Sequence, residues 1–166
     1  MQLENLAIIS NEKTQNVNDK FFCDNIDMKS IPEGLNQNYN IELFLRKSKV
    51  ERISHQIKLR KIFISSNIFT FLLKILRRSN KSKKFLIISL SPFTFFACLL
   101  LFILRKKVYL YLRSDGYEEY RYYSKFFGPI VYHIMFTIAS KITKLIVCRS
   151  HLLRQKKGFL VSPSQL

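Results

Sequence analysis

The chain has 166 residues, with 28 lysines and arginines against 11 acids and a formal net charge of +17. A hydrophobic fraction of 48% supplies a core and excludes global disorder, and the length suits one domain. The charge favours nucleic acid, anionic lipid or phosphorylated ligands as partners, although a composition rich in Lys, Asn, Ile and Phe gives the same balance without one. Cys23, Cys98 and Cys148 are scattered, with no CxxC pair and no Cys/His spacing for zinc. They suit buried thiols in a reducing compartment. The opening "MQLENLAIISNEK" lacks the basic n-region of a signal peptide.

Apolar runs and turn residues alternate along the chain. "NLAIIS" (5–10) reads as a buried strand, followed by a polar stretch to about Lys29. A short helix is expected from Pro32, then strands over 39–48 and 60–67. Asn67 is the expected cap of a helix over 68–78. Phe85 to Leu104 is an uncharged stretch of spanning length. Ser91-Pro92 divides it into a strand (84–91) and a helix (92–104), because Pro is favoured at the first helical position after a Ser cap. Strands over 107–115, 144–150 and 158–165 alternate with a helix over 128–142 and a short turn over 151–155.

Continuous apolar strands separated by helices predict a parallel sheet with covered faces, a Rossmann-like, doubly wound α/β domain. Ligands of such sheets bind at the carboxyl ends of the strands. Most basic clusters, such as Arg77 to Lys84 and Arg105 to Lys107, fall at the opposite edge. There they either complement helix C-termini or face anionic headgroups. No nucleic-acid motif is present, so specific nucleic-acid binding is not expected.

The densest chemical signal lies in "YLYLRSDGYEEY" (109–120). The strand delivers Arg113, Ser114 and Asp115 to the carboxyl edge, and Gly116 permits a turn or a close backbone approach. A carboxylate there can serve as a general base toward a sugar hydroxyl, and Arg113 can hold an anion. The competing reading makes Asp115, Glu118 and Glu119 a solvated helix N-terminus. His133, in "VYHIMF", reads as a satisfied core or boundary histidine, and His55 as an exposed loop residue.

These segments, with "GPIVYHIMF", "CRSHLL", "GFLVSPSQL", "IISNEK" and "FCDNIDMKSIPEGL", resemble the N-terminal half of bacterial retaining GT-B glycosyltransferases, the group 1 or family 4 class. The resemblance covers nearly the whole chain. It implies one half of a GT-B fold over 1–162, with 163–166 starting a linker to an absent, donor-binding C-terminal domain. It implies a sugar or lipid-linked glycan acceptor, with synthesis of a cell-surface polysaccharide or glycan at the cytoplasmic face of the membrane. It makes Asp115 the catalytic residue, with Asn25, Arg113, Ser114, Glu118, Glu119, Arg149 and His151 holding the acceptor. No metal or cofactor is expected in this half, because the nucleotide-sugar donor would sit in the missing domain. The truncated chain alone is expected to be inactive. The runner-up reading is a small basic membrane protein spanning once through 85–104, without enzymatic function.

Overall fold

Parallel pairing of the apolar runs sets the architecture. The computed structural model describes residues 3–153 and 156–161. The chain divides into two compact units, Met1–Phe85 and Leu86–Leu166.

The first unit contains β1 (Glu4–Val17), β2 (Lys20–Cys23), α1 (Asp27–Leu35), β3 (Tyr39–Lys47), β4 (His55–Ile57), β5 (Ile62–Ser65) and α2 (Ile68–Arg78). β3 lies between β1 and β5 and is parallel to both, with Ile8 opposite Leu43 and Leu43 opposite Ile62. Ile8, Ile9, Leu43 and Leu45 are fully buried, as expected of a strand order covered on both faces. α2 runs over the expected residues. The Asn67 side chain accepts from Thr70 N at 2.9 Å, and Phe71 and Ile75, four apart, face inward.

The polar stretch after residue 10 departs from expectation. β1 continues to Val17 past a register shift between Ile9 and Lys13, then turns back into β2. Asn18 and Asp19 have φ of 49° and 61°. Two consecutive left-handed residues make a tight hairpin turn, and Asn and Asp tolerate that conformation better than most side chains. β4 then pairs with β2, so His55 is a half-buried strand residue opposite Cys23 and not an exposed loop residue. α1 begins at Asp27 and carries Pro32 in its interior, five residues earlier than expected.

The second unit takes up the end of β6 (Lys84–Ile88), then α3 (Pro92–Ile103), β7 (Lys107–Leu112), α4 (Gly116–Tyr123), α5 (Phe127–Ile142), β8 (Lys144–Val147), a 3-10 turn (Ser150–Leu153) and β9 (Gly158–Leu160). β6 neighbours β7, β7 is parallel to β8, and β8 is parallel to β9. Parallel strands joined through helices make the fold a Rossmann-like α/β arrangement, as the sequence predicts. Residues 162 to 166, which hold the end of the expected last strand and the expected linker, lie outside the described residues, as do Arg154 and Gln155.

The apolar run 85–104 breaks where Ser91-Pro92 predicts. Ser91 Oγ accepts from Thr94 N at 3.4 Å, and Ser91 N donates to Thr94 Oγ1 at 2.8 Å. This reciprocal cap starts a helix of 12 residues. Among the described residues no helix is long and apolar enough to cross a membrane. Ser91→Ala removes the cap acceptor, and a loss of about 1 kcal/mol in chemical denaturation is the expected result.

Candidate functional site at the ends of β7 and β8

Adjacent parallel strands end side by side. Leu112 closes β7 opposite Val147, which closes β8. The residues that follow, 113–116 and 148–151, therefore emerge at one carboxyl edge, where α/β sheets place their ligands. Two expected site residues meet there: His151 Nε2 lies 2.8 Å from Asp115 Oδ2.

Each partner is positioned by its local chain. Asp115 is the N-cap of α4, and its Oδ1 accepts from Tyr117 N at 2.8 Å. One carboxylate oxygen thus starts a helix while the other holds an imidazole. The Asp115 side chain is 12% exposed and that of His151 43%, so the aspartate is the fixed member and the ring meets solvent. Gly116 does provide a close approach. A Cβ on it would stand 2.1 Å from the ring of Tyr132, which is fully buried.

In a neutral imidazole one nitrogen carries the proton and the other accepts. The carboxylate can only accept, so it selects the tautomer with the proton on Nε2 and leaves Nδ1 as the basic nitrogen. The hydrogen positions follow from this donor–acceptor logic.

The other expected residues have more local roles. Ser114 Oγ donates to the Glu119 carboxylate in a short hydrogen bond. Glu118 and Glu119 are exposed in the first turn of α4, where they complement the helix dipole. For these two the helix-terminus reading describes what the structure shows. Arg113 is half-buried beside Ser114, and Arg149 is exposed. Asn25 belongs to the first unit, where its side chain accepts from Asp27 N at 3.0 Å at the start of α1.

The expectation that His133 is a core or boundary histidine is corrected. It is exposed on α5, and its Nδ1 lies 2.8 Å from Tyr117 Oη. α5 turns Tyr132, Met135, Phe136 and Ala139 inward, and that choice of face leaves position 133 outside. Tyr117 was not singled out in the sequence. Its ring packs edge-on against Tyr132 at 4.8 Å, and burial, followed by the Asp115 charge, pushes its hydroxyl pKa up. It therefore stays a neutral hydroxyl next to the dyad.

A small hollow adjoins this edge, and a larger groove runs from Tyr117 along α5 toward the ends where β8 and β9 begin. The hollow, of about 10 Å³, is lined by Arg113, Ser114, Glu119 and Tyr132 and holds at most a single water. The groove is open, of about 640 Å³, and includes Tyr117, His133, Ser140, Lys141, Lys156 and Lys157. Lys156 Nζ donates to Ser140 Oγ at 2.6 Å and lies 3.7 Å from the centroid of the Phe136 ring. Burial, and then the neighbouring Lys141 charge, lowers its pKa. Tyr117 joins groove and dyad, since its backbone holds Asp115 and its side chain lines the groove.

Among the described residues no group of three His, Cys, Asp or Glu side chains could hold a metal ion. Burial pushes the thiols of Cys23 and Cys98 up to about 11 and about 12, which makes both poor nucleophiles. Cys148 is half-buried, with Tyr111 Oη 3.2 Å from its Sγ.

No protein-family model matches the chain. No curated protein matches it either. Among solved structures, the crystal structure of the C-terminal domain of the coenzyme A biosynthesis bifunctional protein CoaBC is similar, with a TM-score of 0.44 and 7% identity over 73% of this chain and 69% of that one. The expected membership of the group 1 glycosyltransferases is therefore corrected: no family model and no curated protein matches, so nothing supports that family for this chain. The physical reason lies in the segments that suggested it. In "YLYLRSDGYEEY" the apolar residues form a parallel strand, Asp115 caps a helix and Gly116 clears Tyr132. Any parallel α/β fold needs such residues, so they do not single out one family.

Proposed function

We propose that the second unit binds a hydroxylated ligand carrying an anionic group, such as a phosphorylated sugar, and that His151 accepts a proton from a ligand hydroxyl. The 2.8 Å contact between Asp115 and His151 carries this reading. Asp115 orients the ring and stabilises the imidazolium that forms when Nδ1 takes the proton. The ligand oxygen then gains nucleophilic character. Transfer of a group onto it requires a second, activated substrate, whose bond to its own leaving group breaks as the new bond to the oxygen forms, as in glycosyl transfer. Lys141, Lys156 and Lys157 line the groove that Tyr117 connects to the dyad, and supply charge for an anionic group toward its far end, where β8 and β9 begin.

The test is ligand-observed NMR with glucose, glucose 1-phosphate and glucose 6-phosphate. A phosphorylated sugar is expected to bind and to shift the His151 ring signals. His151→Ala and Lys156→Ala should each weaken binding about tenfold, the effect of one lost charged hydrogen bond. Unchanged affinity in both variants, or no binding by any of the three, would rule the proposal out.

A further inference from the structure

A third hollow lies in the first unit, at the edge where its parallel strands begin. It is an open groove of about 740 Å³, within the size range of small-molecule sites. Its floor is built by the first residues of β1 and β3. Asn5 and Asn40 are register partners on these adjacent strands. Asn40 Nδ2 donates to Asn5 Oδ1 at 2.6 Å, and Asn5 Nδ2 donates to the Lys81 carbonyl at 2.8 Å. Each amide carries two N–H groups, and these bonds use one of each. The floor is thus fixed in place and retains a second N–H on each side chain.

The rim is cationic. Arg60, Lys81 and Lys83 line the groove, and among the described residues none of them has an acidic partner. Glu4, the acid in the groove, is engaged by Lys84 Nζ at 2.7 Å. Lys84 also lies 5.4 Å from the centroid of the Tyr39 ring. The helix-dipole account of the basic edge does not cover these three cations, since Arg60 precedes β5, and Lys81 and Lys83 lie beyond the end of α2.

We infer that this groove binds a phosphate-bearing ligand, with Arg60, Lys81 and Lys83 meeting the phosphate oxygens and the Asn5 and Asn40 amides donating to them from below. Arginine matches a phosphate bidentately and lysine adds point charge. Several cations around one cavity favour a ligand with two or more negative charges over a simple carboxylate. The same chemistry is offered by a free phosphate compound and by a lipid headgroup.

The experiment titrates the full chain with inorganic pyrophosphate, following the side-chain amide signals of Asn5 and Asn40 by NMR. A parallel arm sediments vesicles of phosphatidylcholine and phosphatidylglycerol in equal amounts. Arg60→Ala/Lys83→Ala is compared with Arg121→Ala/Lys125→Ala, which removes the same charge from the second unit. Pyrophosphate is expected to move both amide signals, and the Arg60/Lys83 variant to bind it at least about tenfold more weakly, with the control pair unchanged. Binding to vesicles alone, lost in the Arg60/Lys83 variant and kept in the control, assigns the phosphate to a lipid headgroup and also upholds the groove. Equal losses in the two variants would show general attraction to a basic protein and overturn the inference. Absence of binding in both arms would overturn it as well.

Discussion

Arg78→Met is expected to destabilise the protein by about 3 kcal/mol, because it strands a buried carboxylate. Glu42 lies in the middle of β3, paired with Ala7 of β1 in a strand flanked on the other side by β5, and is 2% exposed. Arg78, in the last turn of α2, reaches it with Nη2 at 2.5 Å from Oε1 and Nε at 3.3 Å from Oε2. The two bonds form the fork geometry in which guanidinium–carboxylate pairs are strongest. The hydrogen bond to Glu42 is the main cause that raises the Arg78 pKa, so the guanidinium stays charged. Methionine keeps much of the stem that packs near Phe63, whose ring centroid is 4.6 Å from the guanidinium carbon. The loss therefore reports the charge and not the packing. Adding Glu42→Gln to Arg78→Met should restore much of the stability, since a neutral amide is far cheaper to bury than an unpaired charge. Urea denaturation of the two single variants and the double variant measures the coupling. A change within about 0.5 kcal/mol for Arg78→Met would mean that the pair is absent.

Gly128→Ala should cost at least about 3 kcal/mol, or prevent the second unit from folding. A Cβ at Gly128 would lie 1.9 Å from the carbonyl oxygen of Tyr120 and 2.6 Å from its carbonyl carbon. The obstruction is backbone, so no rotamer change relieves it. α5 would have to move away from α4, separating Tyr132 from Tyr117 and Tyr120, whose ring centroids lie 4.8 Å and 5.2 Å from that of Tyr132. Gly34 provides the contrast. It lies inside α1, and an added Cβ meets nothing within 4 Å. Gly34→Ala is expected to be neutral or to stabilise by about 0.5–1 kcal/mol, through helix propensity. Thermal unfolding of both variants separates a steric glycine from an incidental one. Equal melting temperatures would contradict the packing of α4 on α5.

What could be read in the sequence was local. Asn67 and Ser91-Pro92 announce helix starts within four residues, and both caps form as expected. Arg113 to Asp115 and Cys148 to His151 follow apolar runs, so their place at a strand end was legible. That both face one cleft was expected only through the resemblance; their direct contact depends on β7 and β8 being neighbours, which no local pattern specifies. The β1–β2 hairpin was missed because its turn uses Asn18-Asp19 without the usual glycine. His133 was misread because α5 is apolar around much of its surface. The packing against α4 then decides which side is buried, and it leaves Ile130, Val131 and Ile134 exposed with the histidine. Glu42 passed unremarked within a strand, since its partner is 36 residues away on α2.

The central claim is that Asp115 holds His151 in the tautomer that leaves Nδ1 basic. Asp115→Asn tests it with little structural cost, because asparagine is as good an N-cap as aspartate. With Oδ1 kept on Tyr117 N, the new amide NH₂ faces Nε2, which must then become the acceptor. Long-range proton–nitrogen correlation spectra of the neutral ring read the tautomer directly. The account predicts the proton on Nε2 in the unmodified protein and on Nδ1 in Asp115→Asn. The same tautomer in both proteins would contradict it.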